Sequence, residues 1–326
     1  MATDGDDFDD LLSTIGYGRW QVPGVVVTLL VASQIPAHLV GSPLLSGPMS
    51  FRCSQENAEI LLQINSTLYF NNECLSPANI VSDSTMQLPN SSNVFPSNGT
   101  NSQLTGMGSC PVIEYDTSIF TSSVISQFHL VCEREDLQPL FQMMYTVGII
   151  FGSLIGGYVG DKLGRRRAVQ VGVAVYIAVV VAMAFVPSFV FVLVMRVVVG
   201  VTHQCMVIPV WSLALESTPT RYRSLVGMLL GLPYSLFVMV MAGVGYFIRS
   251  WNYLLLVCCA PGLALMPLSF MMDESARWLI QQGRREEALK VLTKAVRQNK
   301  ARLSLPLETI VGNFEQVNPR LVAEAG

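Results

Sequence analysis

The chain has 326 residues, of which 51% are hydrophobic and only 13% are charged, whereas about a quarter of the residues of a soluble domain carry charge. This composition argues against a soluble enzyme and indicates a protein embedded in a membrane. The net charge of −3 does not identify a partner by itself. The acidic start MATDGDDFDD lacks the basic region of a secretory signal peptide, so no cleavable signal is expected.

Six apolar stretches are long enough for membrane helices, since a bilayer core of about 30 Å needs roughly 20 apolar residues in a helix. The predicted spans are Val22–Val40, Pro139–Val159, Ala168–Val186, Phe189–Leu215, Leu225–Ile248 and Tyr253–Met272. Prolines recur within them, which membrane helices tolerate better than soluble helices do. The alternative, a large soluble helical core, does not account for the short links between the stretches.

The long segment between the first two spans, residues 41–138, is polar and rich in Ser and Asn. It contains three glycosylation sequons, at Asn65, Asn90 and Asn98, which predicts an extracellular, glycosylated loop. It also contains four of the seven cysteines, Cys53, Cys74, Cys110 and Cys132. In an oxidising compartment these predict two disulfides with three connectivities, and free thiols are the alternative.

Positive charge predicts the orientation, because short loops rich in Lys and Arg stay in the cytosol. Loops of this kind follow the second and fourth spans, and a basic tail follows the sixth. Their cations include Lys162, Arg165, Arg166, Arg167, Arg221, Arg223 and Arg277. Residues 1–21 and the tail 273–326 are therefore expected in the cytosol. The tail segment EEALKVLTKAVRQNK predicts an amphipathic helix, whose mixed charge favours packing against the protein rather than lipid.

The stretch GGYVGDKLGRRR, Gly156–Arg167, matches neither G-x-G-x-x-G nor G-x-x-x-x-G-K-[ST], and no strand precedes it. The three histidines are scattered, so no metal, cofactor or nucleic acid is expected. Glycines instead recur every fourth residue along the second span, which predicts close packing of another helix. These are Gly148, Gly152, Gly156 and Gly160. Asp161, at the end of this stripe, needs a cation or a helix N-terminus as its partner.

The segment Gly157-x-x-Gly160-Asp161-Lys162-x-Gly164-Arg165-Arg166 resembles the signature loop of the major facilitator superfamily. FDDLLSTIGYGRWQ, FHLVCERE and ESARWLIQQGRREEA, in that order, resemble solute carrier family 22, the organic cation, anion and carnitine transporters. The resemblance implies an all-α membrane protein, the six-span N-terminal half of a twelve-span fold, with a large extracellular loop and cytosolic helices. Two departures are Asp273, where a proline is common, and four loop cysteines, where six are common.

The resemblance also implies alternating access, in which a substrate binds between two halves that rock around it. A cytosolic gate is expected from Asp161, Arg165, Arg166, Glu216, Arg223, Glu274 and Arg277. The alternative is that they are interfacial charges without a gating role.

Polar and aromatic residues within the spans are candidates for contact with a substrate. They are Gln142, Tyr145, His203, Gln204, Trp211 and Tyr234, and ordinary packing is the alternative for each. Arg196 lies inside the fourth span, where a charge is costly and faces a partner or a cavity. For Arg196 a structural role is favoured over a role in the substrate site.

The sequence thus predicts a plasma-membrane transporter of small organic ions, with both termini cytosolic and no enzymatic activity. Its expected partners are the substrate, the lipid bilayer, and a missing C-terminal half or a full-length relative. The alternative is a truncated, non-transporting isoform that associates with or interferes with a full-length transporter. Cation, anion and zwitterion substrates all stay open, as do the coupling ion and the disulfide connectivity.

Overall fold

The structure, a computed structural model, describes residues 4–54 and 112–317. Its helices are α1 (Asp4–Ile15), α2 (Val22–Leu39), α3 (Ser42–Leu45), α4 (Val124–Phe128), α5 (Gln138–Leu163), α6 (Arg165–Phe185), α7 (Phe189–Glu216), α8 (Thr220–Phe247), α9 (Trp251–Met271), α10 (Ala276–Gln281), α11 (Arg285–Asn299) and α12 (Leu307–Val317). Strands β1 (Phe51–Ser54) and β2 (Val112–Tyr115) and a 3-10 helix, Cys132–Leu137, lie in a separate compact unit, residues 46–138.

Among the described residues, six helices are long and apolar enough to cross a bilayer, namely α2 and α5 to α9. They correspond one by one to the predicted spans. Local sequence explains where several of them begin. A proline occupies the first turn of α2, where its missing N–H costs nothing. The Ser188 hydroxyl caps α7 by accepting the N–H of Phe191.

Helix α2 is central to the bundle, since it packs against α7, α8 and α9, while α6 packs against α7 and α9. The short helix α3 was not predicted. It lies within the segment assigned to the extracellular loop, yet it packs against α2 and α9. The residues directly after the first span therefore belong to the helical bundle and not to the loop.

The predicted glycine stripe faces α7, and the close packing it predicts is confirmed. A Cβ atom at Gly148 would lie 2.2 Å from the carbonyl oxygen of Val197. Across the interface, a Cβ at Gly200 would lie 2.4 Å from the carbonyl oxygen of Tyr145. The two backbones touch, so a side chain at either position would push the helices apart.

Helices α1, α10, α11 and α12 gather at one end of the bundle. Phe8, Leu11, Leu12 and Ile15 of α1 are buried with Ala276, Leu292, Ala295 and Val311. The predicted amphipathic helix is α11, and its apolar face packs on the protein itself, as its mixed charge indicated. Helix α1 was not predicted. This end, which also holds the α5–α6 and α7–α8 turns, is called the basic end below.

In the unit formed by residues 46–138, β1 and β2 pair antiparallel, with Phe51 opposite Tyr115. Cys132 is disulfide-bonded, whereas Cys205, Cys258 and Cys259 are free. The disulfide partner of Cys132 is therefore one of Cys53, Cys74 and Cys110, whose side chains lie outside the described residues. The sequons at Asn65, Asn90 and Asn98 lie outside them too, so glycosylation stays a prediction.

We predict that Gly148→Ala destabilises the bundle, because overpacking typically costs about 1–3 kcal/mol. Gly157→Ala is the matched control on the same helix, since a Cβ at Gly157 meets nothing within 4 Å. Thermal unfolding in detergent should give a lower melting temperature for Gly148→Ala alone. Equal melting temperatures for the two variants would contradict the contact between α5 and α7.

Candidate functional site

The turn between α5 and α6 depends on Gly164, whose φ of +95° lies in a region that side chains avoid. A Cβ there would also lie 2.5 Å from a carboxylate oxygen of Glu274. The turn brings the N-terminus of α6 onto that carboxylate, and both oxygens accept the N–H of Arg166 at 3.1 Å. A carboxylate at a helix N-terminus is favourably placed for the helix dipole.

Arg165 forms the centre of the charge cluster at the basic end. Its guanidinium is buried and contacts Asp161 at 3.1 Å and Glu216 at 3.2 Å. Glu216 in addition accepts a hydrogen bond from the hydroxyl of Ser275. The indole N–H of Trp278 donates to the carbonyl oxygen of Asp161 at 2.8 Å. Arg165 therefore joins α5, α6 and α7, and Ser275 and Trp278 tie them to α10.

Glu274 differs from the other two carboxylates because backbone N–H groups hold it. Burial raises the pKa of Glu274 above its usual value, and the N–H donors of Arg166 and Ser275 only partly oppose this. The raised pKa means that the folded protein binds this proton more tightly than the unfolded chain does. Its contribution to stability therefore grows as the pH falls through the raised pKa towards the ordinary pKa of a glutamate, and is lost as the pH rises through the raised pKa.

The structure separates two predicted gate residues from this cluster. Arg223 does not contact Glu216. It pairs with Asp9 of α1, with one guanidinium nitrogen 2.5 Å and the other 3.0 Å from its carboxylate oxygens. Arg277 places its guanidinium 5.5 Å from the Phe8 ring centroid. The single network that was predicted is thus two groups, because α1 supplies a carboxylate closer to Arg223.

The side chain of Arg166 also departs from the prediction, since it donates to the carbonyl oxygen of Phe270 at 3.0 Å rather than to a carboxylate. Sequence reasoning missed Asp9, Ser275 and Trp278. The available signal for Asp9 was the apolar periodicity of FDDLLSTI, which marks a helix with one apolar face.

Arg196 is fully buried in α7, and within the described part of the chain its guanidinium hydrogen-bonds to neutral groups. It donates to the carbonyl oxygen of Phe141 at 3.1 Å and to the Ser42 hydroxyl at 2.6 Å. It also donates to the carbonyl oxygen of His38 at 3.4 Å, in the last turn of α2, where the helix dipole is negative. Arg196 therefore ties α2, α3 and α5 to α7, which supports the structural role.

A directional chain of hydrogen bonds leaves Arg196. Its guanidinium lies 3.1 Å from Nδ1 of His38, and because a guanidinium can only donate, Nδ1 must accept. The proton of His38 is then on Nε2, 3.0 Å from the Tyr176 hydroxyl oxygen. That hydroxyl donates in turn to Gln34 at 3.1 Å. All four side chains are buried.

The predicted substrate-lining residues divide into two groups. Tyr145 and His203 are 0% and 2% exposed and lie 2.8 Å apart, hydroxyl to Nδ1, inside the bundle. Neither presents a surface to a ligand, which corrects their assignment. Gln142 contacts Ser42 and Arg196 and so belongs to the buried network as well. Gln204, Trp211 and Tyr234 keep partly exposed positions.

An open apolar groove runs between α2 and α8 and includes Leu29, Ser33, Leu229 and Phe237. None of the six predicted substrate-lining residues lines it. Groups of His, Cys, Asp and Glu suitable for a metal ion are absent from the described part of the chain.

We predict that Glu274→Gln lowers thermal stability less than Glu216→Gln does. Burial already penalises the charge of Glu274, and the amide oxygen of glutamine can still accept an N–H. Glu216→Gln instead removes the less exposed of the two carboxylates that pair with buried Arg165, and losing the partner of a buried charge is costly. Melting temperatures of both variants in detergent at neutral pH check this, and the reverse order would contradict the geometry.

The sequence pattern of the sugar (and other) transporter family matches residues 89–318. The chain is 36% identical over 185 residues to mouse solute carrier family 22 member 20, which covers 57% of this chain and 33% of that protein. It is 28% identical over 299 residues to the organic cation transporter protein of Drosophila melanogaster, which covers 90% of this chain and 53% of that one. The chain thus spans between a third and about half of the length of these relatives.

Among solved structures, the fold is similar to that of the E. coli proton:xylose symporter XylE of the major facilitator superfamily. The TM-score is 0.53 at 13% sequence identity, and the match covers 95% of this chain and 55% of that chain. This likeness supports the fold alone, and it confirms the all-α, half-transporter fold class. The relatives confirm the resemblance to solute carrier family 22, and with it the prediction that the chain is not an enzyme. Since the family pattern covers more than half of its residues, the chain belongs to the sugar (and other) transporter family.

Proposed function

We propose that the chain forms the first six-helix half of a plasma-membrane transporter that moves small organic ions by alternating access. The observation that carries this proposal is the family match over residues 89–318, together with the Arg165 cluster at the α5–α6 turn. In this proposal the basic end lies in the cytosol, with both chain ends. The membrane potential or a counter-ion drives transport, and no cofactor takes part.

The proposed gate rests on the difference in exposure between Asp161 and its partners. The side chain of Arg165 is 10% exposed and that of Glu216 is 19% exposed, whereas that of Asp161 is 72% exposed. Asp161 can therefore accept a further hydrogen bond from outside this half while Arg165 holds it in place. A cation or a helix N-terminus on a second half would close the cytosolic side, which favours the outward-open state.

A second half is supported by the apolar surface of α8, the least buried of the six spanning helices. Met228, Leu232, Leu236 and Met239 of α8 are all more than half exposed. The second half is either a continuation of this protein or a full-length relative. In the latter case the chain acts as a non-transporting partner. Native mass in detergent, measured beside uptake, separates these readings, because a lone monomer without uptake rules out transport by this chain.

We place the substrate between the halves, with Gln204, Trp211 and Tyr234 as contacts. Within the described residues the indole N–H of Trp211 is buried without a hydrogen-bond partner, which leaves a donor for a ligand. Its ring packs against the buried cluster of Ala214, Val226 and Leu230. An aromatic face at this position attracts an organic cation, and it can equally stack on a flat anion.

We predict that Asp161→Asn, in the complete protein, reaches the cell surface but transports poorly. Because Asp161 is 72% exposed and Arg165 keeps Glu216 as a partner, losing this pair should cost little stability, about 0–1 kcal/mol, so the variant should fold. Uptake of labelled organic cations, anions and carnitine, divided by the surface level, measures the effect. Glu286→Gln, an exposed change on α11, is the control, and equal uptake by both variants would exclude the gate role of Asp161.

We predict that Trp211→Phe raises KM for a transported ion that carries an acceptor group. Phenylalanine keeps an aromatic face but removes the N–H, and losing one hydrogen bond costs about 0.5–1.5 kcal/mol, roughly a two- to thirteenfold change. Concentration-dependent uptake gives KM, and an unchanged KM for every transported ion would remove Trp211 from the substrate site.

A further inference from the structure

The segment before the first span is built into the basic end rather than trailing from it. The buried positions of α1 recur at helical spacing, at Phe8, Leu11, Leu12 and Ile15. They pack on Leu292 and Ala295 of α11 and on Val311 of α12. Without α1 the apolar faces of α11 and α12 would be exposed to water, so α1 completes this small core.

One end of the segment is fixed to the start of α8. The carboxylate of Asp9 accepts hydrogen bonds from both terminal nitrogens of the Arg223 guanidinium. The Nε of Arg223 donates to the carbonyl oxygens of Leu215 and Thr218. Burial by itself raises the pKa of Asp9, but the hydrogen bond and charge of Arg223, with the charge of Arg277, bring it below its usual value. The pair therefore stabilises the folded state at neutral pH, and this contribution is lost as the pH falls through the lowered pKa.

The other end is fixed to α11 and to Asp273, in the segment between α9 and α10. The backbone N–H of Trp20 donates to Asn299 at 3.1 Å, and its indole N–H donates to Asp273 at 3.1 Å. Lys294 pairs with the same carboxylate at 2.7 Å. Between these contacts, Gln21 donates to the carbonyl oxygen of Ser217 in the α7–α8 turn at 3.2 Å.

These contacts explain the departure at Asp273, because a proline there could accept neither Trp20 nor Lys294. Asp9 binds the guanidinium of Arg223, whereas Glu216 contacts Arg165 and Ser275.

We infer that residues 8–21 form a strap that ties the start of α8 to α10–α12 and restrains α8 during the transport cycle. Asp9 is a positioning residue that acts through Arg223 and touches no substrate. The restraint of α8 during transport rests on the proposed function, whereas the attachment of residues 8–21 to α8 and to α10–α12 does not.

Hydrogen–deuterium exchange of the full chain in detergent micelles tests the attachment. We expect Asp9→Asn to speed exchange in α1 and the first turn of α8 by about fivefold, the equivalent of roughly 1 kcal/mol for a partly buried ion pair. Asp10→Asn, its exposed neighbour with the same charge change, should leave exchange unchanged. Exchange in α6 and α7 reports whether each variant is still folded.

A charge reversal separates the ion pair from general effects on folding. Asp9→Arg should speed exchange further, and the double variant Asp9→Arg with Arg223→Asp should return it towards the wild type. At the other end, Trp20→Phe should speed exchange around Gly16–Gln21. The attachment is overturned if Asp9→Asn behaves like Asp10→Asn, or if the double variant is worse than both single variants.

Uptake by the complete protein tests the restraint. Asp9→Asn should change kcat by a few-fold, on the order of the same ion-pair energy, and leave KM unchanged, while Asp10→Asn changes neither. An unchanged kcat with altered exchange would overturn the restraint and leave the strap as an attachment only. Failure of the wild type to move any organic ion would instead reject the proposed function, and the exchange results would stand.

Discussion

The contact between the backbones of α5 and α7 sets the register of the functional residues at both ends of the bundle. Where Gly148 meets Gly200 there is no side chain to adjust, so α5 cannot slide along α7 without a clash. This register places Tyr145 beside His203 and Phe141 beside Arg196. At the far end it places Gly164, and with it Arg165, opposite Glu216. A stripe without side chains therefore positions polar groups that it does not itself contact.

The buried charges of Arg165 and Arg196 are compensated in different ways. Arg165 lies near water and is held by two carboxylates, one of them exposed. Arg196 lies within a spanning helix, and its partners are carbonyl oxygens, a hydroxyl, an amide and an imidazole. For Arg196, several dipoles, including the C-terminal end of α2, together provide the compensation that two carboxylates provide for Arg165. The position of Arg196 consequently depends on how α2, α3, α5 and α7 are arranged, whereas the position of Arg165 depends on Asp161 and Glu216.

The sequence was informative wherever a residue's role follows from its immediate neighbours. Spans follow from length and hydropathy, and the glycine stripe follows from a spacing of four, so both were predictable. The choice of partner was not, because it depends on which segments meet in space. The resemblance placed Arg223 in one gate network with Glu216, but Arg223 pairs with Asp9, more than 200 positions earlier in the chain. Tyr145 and His203 were polar residues in spans, and the sequence could not show that they face each other rather than a ligand.

The hydrogen bonds that leave Arg196 have a consequence for proton movement. They run in one direction, from Arg196 through His38 and Tyr176 to Gln34, because a guanidinium can donate but never accept. The imidazole of His38 therefore occupies a single tautomer and has no free lone pair while Arg196 remains bound. A proton could enter this ring only if α2 and α7 first separated enough to release the guanidinium.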